Sequence, residues 1–361
     1  MIQKKICLIA QFPPPMHGLS KAVETLYCSD LRRNFGFEAI DIKDNKKFIQ
    51  TLRKIKESRA DLFYFTISQT KGGNLRDLII LKLLDTKKKK CIVHLHGGYY
   101  RTLVDQELPA WQKKANYRAI SKLDGAIVLS PSLVKIFEGM ISRDKIFVVP
   151  NCVDDTFVLS KEEQDQKITA QKTKKTLDVL YLSNFIKEKG YPQVLSMARL
   201  EKKRVDAGAP KKFHFHFAGK FFDEKEKNFF ERYVETYALH EFVSYHGVVG
   251  GNEKKALLKQ CDVFMLLTRY PNEGQPISIL EAMGNGMCIV TTDHAGIPDI
   301  VKDGINGIIA DENKVNTIAE RILKTNLEEV ALTNYHAATT IYTQSAYLDH
   351  MKEIFQDAIS S

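Results

Sequence analysis

No stretch of the 361 residues approaches 18 consecutive apolar side chains, so no membrane-spanning helix is expected. The opening Met1-Ile2-Gln3-Lys4-Lys5 runs straight into an apolar strand, without the apolar core and small-residue cleavage site of a signal peptide. Cysteine is sparse, with six residues at 7, 28, 91, 152, 261 and 288, none in a C-x-x-C pair and most inside apolar runs. Buried free thiols in a reducing compartment are therefore expected, and with them a cytoplasmic protein. No G-x-G-x-x-G follows the first apolar run, and no G-x-x-x-x-G-K-[ST] occurs. These absences count against a dinucleotide oxidoreductase and a phosphate-loop ATPase or kinase. An Asp-x-Asp clamp, suited to metal-dependent sugar chemistry, is also missing. His94, His214 and His216 have no acidic or cysteine partner at zinc-ligand spacing, so no metal is expected and structural roles are assigned to them.

An apolar share of 44% with 27% charged residues is that of a globular protein, and the length suits two domains. The net charge of +9 is unevenly spread. Residues 1–150 carry 27 Lys+Arg against 14 Asp+Glu (+13), and the remainder 26 against 30 (−4). A basic first half reads as a surface that meets something anionic, either nucleic acid or a membrane. Lys43, Lys46, Lys47, Arg53, Lys54 and Lys56 alternate with Phe48, Ile49, Leu52 and Ile55 as on a basic amphipathic helix. Packing of Phe48, Leu52 and Ile55 on their own sheet explains the apolar stripe but not the charge excess. Peripheral contact with an anionic membrane is the expectation taken, and no nucleic-acid partner is expected.

Short apolar runs at 6–10, 37–42, 62–66, 91–95, 126–129 and 147–149 alternate with longer amphipathic stretches such as 20–33, 46–58 and 105–123. Continuous apolar runs suit parallel strands covered on both faces. The alternation restarts at 179–183, 213–218, 242–245, 263–267, 288–291 and 307–309, and closes with helices at 314–324 and 347–359. The expected fold is α/β: two Rossmann-like doubly wound domains, 1–158 and 176–361, with the polar segment 159–175 as linker. The last helix is free to pack back on the first domain. A ligand cleft is expected between the C-terminal edges of the two sheets.

The most informative segment runs from Pro271 to Gly284: Pro-Asn-Glu-Gly-Gln-Pro-Ile-Ser-Ile-Leu-Glu-Ala-Met-Gly. It follows a strand and opens a helix, so the free amides from Gly274 to Ser278, a stretch that includes Gln275, Pro276 and Ile277, are expected to face an anion such as a diphosphate. Glu273 on the loop and Glu281 inside the helix can each accept hydrogen bonds from vicinal hydroxyls. With seven residues between them and Ala-Met following, this pair resembles the signature of the retaining glycosyltransferase family 4, whose architecture is GT-B. The resemblance implies that Glu273 contacts the donor sugar, Glu281 the donor ribose, and Gly274 and its neighbours the phosphate or sugar.

Segment 180–190, Leu-Tyr-Leu-Ser-Asn-Phe-Ile-Lys-Glu-Lys-Gly, is similar to the family's first donor-domain loop. Lys189 there matches the lysine that neutralises the diphosphate, and Asn184 stands where the family has arginine. Pro13-Pro14-Pro15-Met16-His17-Gly18-Leu19-Ser20 resembles the glycine-bearing loop of the first domain, with Gly18 kept for close approach and His17 preceding it. His96, before Gly97-Gly98 at a strand end, matches the histidine that contacts the sugar near its hydroxymethyl group. Residues 293–299 resemble a G-G-x-P-E loop with Ala295 and Asp299 substituted.

The resemblance therefore implies a retaining transferase that needs no metal or other cofactor. Its donor would be a UDP- or GDP-sugar, and its acceptor a glycan or polyprenyl-linked chain in surface polysaccharide synthesis. His96, Glu273 and Lys189 would be its catalytic residues. A nucleotide-sugar epimerase of the same architecture and a non-catalytic sugar-nucleotide or nucleic-acid binding module are the rival readings.

Overall fold

The computed structural model describes residues 3–14 and 18–360, so Pro15, Met16 and His17 of the glycine-bearing loop lie outside the described residues. The chain forms two compact units: Met1–Asn151 with Pro271–Gln275 and Gln344–Ser361, and Cys152–Tyr270 with Pro276–Thr343.

The first unit holds β1 (Lys5–Ala10), β2 (Gly36–Asp41), β3 (Leu62–Thr66), β4 (Lys90–His94), β5 (Gly125–Val128) and β6 (Ile146–Val148) in the order β2-β1-β3-β4-β5-β6. Every pairing is parallel, and β3 and β5 are buried at all positions. That is why these strands read as unbroken apolar runs: both sheet faces are covered. The second unit holds β7 (Leu177–Leu182), β8 (Phe213–Ala218), β9 (Val243–Tyr245), β10 (Val263–Leu266), β11 (Cys288–Thr291) and β12 (Gly307–Ile309), again all parallel, in the order β12-β11-β10-β7-β8-β9. Both units are doubly wound and Rossmann-like, as expected. Strand order reverses beside β1 and β3 in the first unit and between β7 and β10 in the second. Open α/β sheets bind ligands at such switch points, outside the strands' carboxyl ends.

The polar segment expected as a linker contains a helix of the second unit, Lys161–Gln171. A Ser160/Glu163 capping box starts it, and only Gln164 and Ile168 are buried. One buried apolar residue in three turns is too narrow a stripe for periodicity to reveal, while the cap and good helix formers suffice locally. The helix Gln344–Ser360 belongs to the first unit, where Phe355 packs edge-on against Phe35 and Tyr64. The helix Leu327–Thr340 was not anticipated either. All six cysteines are free; Cys7, Cys91, Cys261 and Cys288 are buried, but Cys28 is exposed. Among the described residues no helix is long and apolar enough to cross a membrane.

The histidines of β8 are structural, as expected. His216 Nε2 lies 2.9 Å from Asp178 Oδ1, and its Nδ1 lies 3.0 Å from His246 Nε2. Lys174 bridges Asp178 at 2.7 Å and Asp262 at 2.5 Å. Burial alone would raise the Asp178 carboxyl, but the His216 and Lys174 contacts outweigh it and hold the group down at about 2. A carboxylate lowered in the folded state stabilises above its unfolded value, and that contribution is lost as pH falls through the folded one. Asp178→Asn should therefore cost roughly 2 kcal/mol at neutral pH, a deficit that narrows as pH drops from about 4 towards 2. Urea unfolding of both proteins across that range checks it, and a pH-independent deficit would refute the assignment.

Candidate active site

In the first unit the site grows from the end of β4. His94, the last residue of that strand, is fully buried, with Nδ1 2.7 Å from the Tyr64 hydroxyl. Burial, aided by the neighbouring His96, holds its imidazole well below the usual range, so it stays neutral. His96 follows two residues later on the same side, its ring stacked on His94 with centroids 3.9 Å apart. His94 thus acts as a fixed platform that orients the half-buried His96 at the sheet's C-terminal edge.

Against this edge lies the segment Pro271–Gln275, which carries Glu273. Two glycines make the approach possible. A Cβ on Gly274 would fall 2.9 Å from both Gly97 Cα and His96 O, and one on Gly97 would fall 2.6 Å from Asn272 O. Gly274 is needed for this backbone contact. The side chain of Gln275 is spent inside the protein. Asn151 N donates to Gln275 Oε1 at 2.7 Å, Gln275 Nε2 donates to Leu129 O at 3.2 Å, and Asn151 Nδ2 donates back to Gln275 O at 2.8 Å. The carboxamide thereby ties the Glu273 loop to the ends of β5 and β6. On the other side Gln69 accepts from Tyr99 N at 2.6 Å and reaches Asn272 O at 3.5 Å. Gln69 and Asn151 went unnoticed in the sequence because their partners are remote in the chain. Gly18, by contrast, is exposed, and an added Cβ there would meet nothing within 4 Å, so the protein's own packing does not require glycine.

The second unit presents its charges at its own switch point. Lys189 closes the turn Lys187–Lys189 after β7, with Nζ 5.3 Å from the Tyr270 ring centroid. Gly190 follows at φ +84°, where a Cβ would fall 2.4 Å from Leu267 O; only glycine lets the chain turn so tightly past the end of β10. The helix Tyr191–Asp206 begins there, so Lys189 stands at a helix N-terminus, a setting that favours anions. Asn184 is exposed, and its carbonyl accepts from Tyr181 Oη at 2.9 Å.

Glu281 sits within the helix Ile277–Met283, for which Pro276 is the N-cap residue and not, as expected, a first-turn one. Its side chain is 6% exposed and meets Lys254 Nζ at 2.6 Å. Lys254, which also lies 4.3 Å from the Phe157 ring centroid, is a site residue that the sequence did not announce. The contact holds one carboxylate oxygen of Glu281 in place. Ala295 has φ +51°, the left-handed conformation for which the resembling loop uses glycine.

Comparison with known proteins follows the same lines. Residues 160–339 match the family described as Glycosyl transferases group 1. A relative in Klebsiella pneumoniae, the "Uncharacterized 41.2 kDa protein in cps region", is 25% identical over 280 residues, covering 76% of this chain and 71% of that protein. The amylovoran biosynthesis glycosyltransferase AmsK of Erwinia amylovora is 26% identical over 117 residues, 31% of this chain and 29% of that one. Among solved structures, Anabaena Alr3699/HepE in complex with UDP superposes with a TM-score of 0.72 at 15% identity, covering 98% of this chain and 100% of that one. The same protein has also been solved in complex with UDP-glucose.

Proposed function

We propose, for a chain that belongs to the group 1 glycosyltransferases, that it transfers a hexose-type sugar from a UDP- or GDP-sugar to a glycan or polyprenyl-linked acceptor of a surface polysaccharide. The observation that carries the reading is the seating of Glu273 beside His96, on two loops that touch through Gly97 and Gly274. The UDP and UDP-glucose complexes of the Anabaena protein support a nucleotide-sugar donor, and the name of AmsK supports polysaccharide synthesis.

In this reading Glu273 accepts hydrogen bonds from donor-sugar hydroxyls, His96 contacts the sugar near its hydroxymethyl group, and Glu281 accepts from the ribose. The diphosphate leaves towards Lys189 and the amides that open the helix Tyr191–Asp206, while the acceptor hydroxyl approaches the same sugar face. Anomeric configuration is retained. With Asn184 in place of a second cation, leaving-group stabilisation rests on Lys189 and the helix amides. No metal takes part. The protein works at the cytoplasmic face of a membrane, held there by its basic first half.

Titration of UDP- and GDP-sugars by calorimetry should find one that binds, and NMR of its product should show the donor's anomeric configuration. Turnover should survive a chelator. Failure of every nucleotide sugar to bind would refute donor use, an inverted product would refute retention, and activity restored only by magnesium or manganese would refute metal independence.

A further inference from the structure

We propose that the edge of the first unit's helical layer nearest His96 is a membrane-contact surface anchored by Trp111, and that its partner is an anionic phospholipid bilayer. This rests on the peripheral contact proposed above and names the surface that makes it.

The helices Phe48–Glu57, Lys71–Thr86 and Ala110–Ile120 come after β2, β3 and β4 and pack side by side. In a parallel sheet such crossover helices start at the strands' C-terminal edge and run back, so their first turns line the edge that bears His96. Exposed apolar side chains fall in or just after those first turns: Ile49 (83% exposed) and Trp111 (60%) in the first, Leu75 (45%) at the start of the second. Ile79 (42%) continues the Leu75 stripe one turn on.

Two of these helices carry their polarity inside out. Asn74, Asp77, Gln112 and Asn116 are buried. Asn74 Nδ2 donates to Asn116 Oδ1 at 2.8 Å, and Gln112 Nε2 donates to Asn74 Oδ1 at 2.8 Å. These amides join the helices from within, so Trp111 and Leu75 are not needed to hold the layer together. Large apolar groups turned outwards over a polar interior suit a partner that is itself apolar.

The charge around them selects the bilayer. Lys71 pairs with Glu107 at 3.6 Å and Lys113 with Asp105 at 3.0 Å, which neutralises these two carboxylates. Among the described residues no carboxylate forms an ion pair with Lys46, Lys47, Lys54, Lys114 or Arg118. Indole favours the membrane–water boundary, and unpaired cations favour anionic headgroups. The two together give reversible attachment. A lipid-borne acceptor would then be presented at the edge that carries His96.

Trp111 is the only tryptophan in the chain, so its emission reports this one position. With vesicles containing phosphatidylglycerol the protein should sediment in a salt-sensitive manner, its emission should shift to the blue, and brominated lipid should quench it. Trp111→Ser combined with Leu75→Ser should lower partitioning about tenfold with calorimetric nucleotide binding unchanged. Sedimentation with an unshifted emission, or with the double variant unaffected, would overturn this surface and leave the charge-driven contact standing. No sedimentation with any vesicle would overturn both, and equal partition to pure phosphatidylcholine would overturn the anionic partner.

Discussion

Glu273→Ala is expected to lower kcat by about 5- to 150-fold with donor affinity nearly unchanged, and Glu281→Ala to weaken donor binding by a similar factor. The two carboxylates differ in setting. Glu273 lies on a loop pressed against His96 and, in the proposed role, meets the sugar that changes bonding as the reaction proceeds. Glu281 pairs with Lys254 inside the second unit and, in the proposed role, meets a ribose that is the same before and after transfer. Removing its side chain leaves the Lys254 ammonium without that partner, so Glu281→Gln is the control that keeps volume and limits the structural loss. Steady-state kinetics and calorimetry on purified proteins would decide the matter. Wild-type rate and affinity in both alanine variants would mean that the hydroxyl-binding roles lie elsewhere.

Disrupting the seat of the Glu273 loop should be as damaging without touching a reacting group. Gln275→Ala leaves the backbone amide of Asn151 and the carbonyl of Leu129 buried without their side-chain partner, a loss of roughly 2–4 kcal/mol. Gln275→Glu is the sharper variant. A carboxylate can still accept from Asn151 N, but it places an acceptor against Leu129 O where a donor stood. Gly274→Ala forces a Cβ to 2.9 Å from the backbone at His96 and Gly97, so the two loops must part. All three substitutions should reduce kcat more than donor affinity, because in the proposed roles the nucleotide is met by Glu281 and Lys189 of the other unit. A drop in donor affinity matched to the drop in kcat would return Gln275 to the ligand-binding role that its place in the motif suggested.

The side-chain contacts of Gln275 show where the sequence stops being legible. The twelve strands could be read, the central ones because strands covered on both faces are apolar throughout, and the partly exposed edge strands β2 and β9 from their place in the alternation. Glu273, Glu281, Lys189 and His96 stood out as candidates because each stands at a strand end or in a recognisable motif. Gln275 could not be assigned, since its partners lie 124 and 146 residues away. Lys254 escaped for the same reason: 27 residues and a strand separate it from Glu281. The helix Lys161–Gln171 was hidden because its stability comes from a cap and propensity, with little apolar periodicity to mark it.

The order in which the units recur along the chain constrains how the protein can be made and recombined. The first unit is drawn from three separate segments, the last being the helix Gln344–Ser360, whose Phe355 covers the same Tyr64 that holds His94 in place. During synthesis the second unit's segments are all made before the first has its final helix, so the platform beneath His96 is completed last. For the same reason a chimaera with a relative cannot be built by one crossover near residue 151. An exchange that keeps each unit whole needs four junctions, two of them flanking a five-residue graft that carries Glu273.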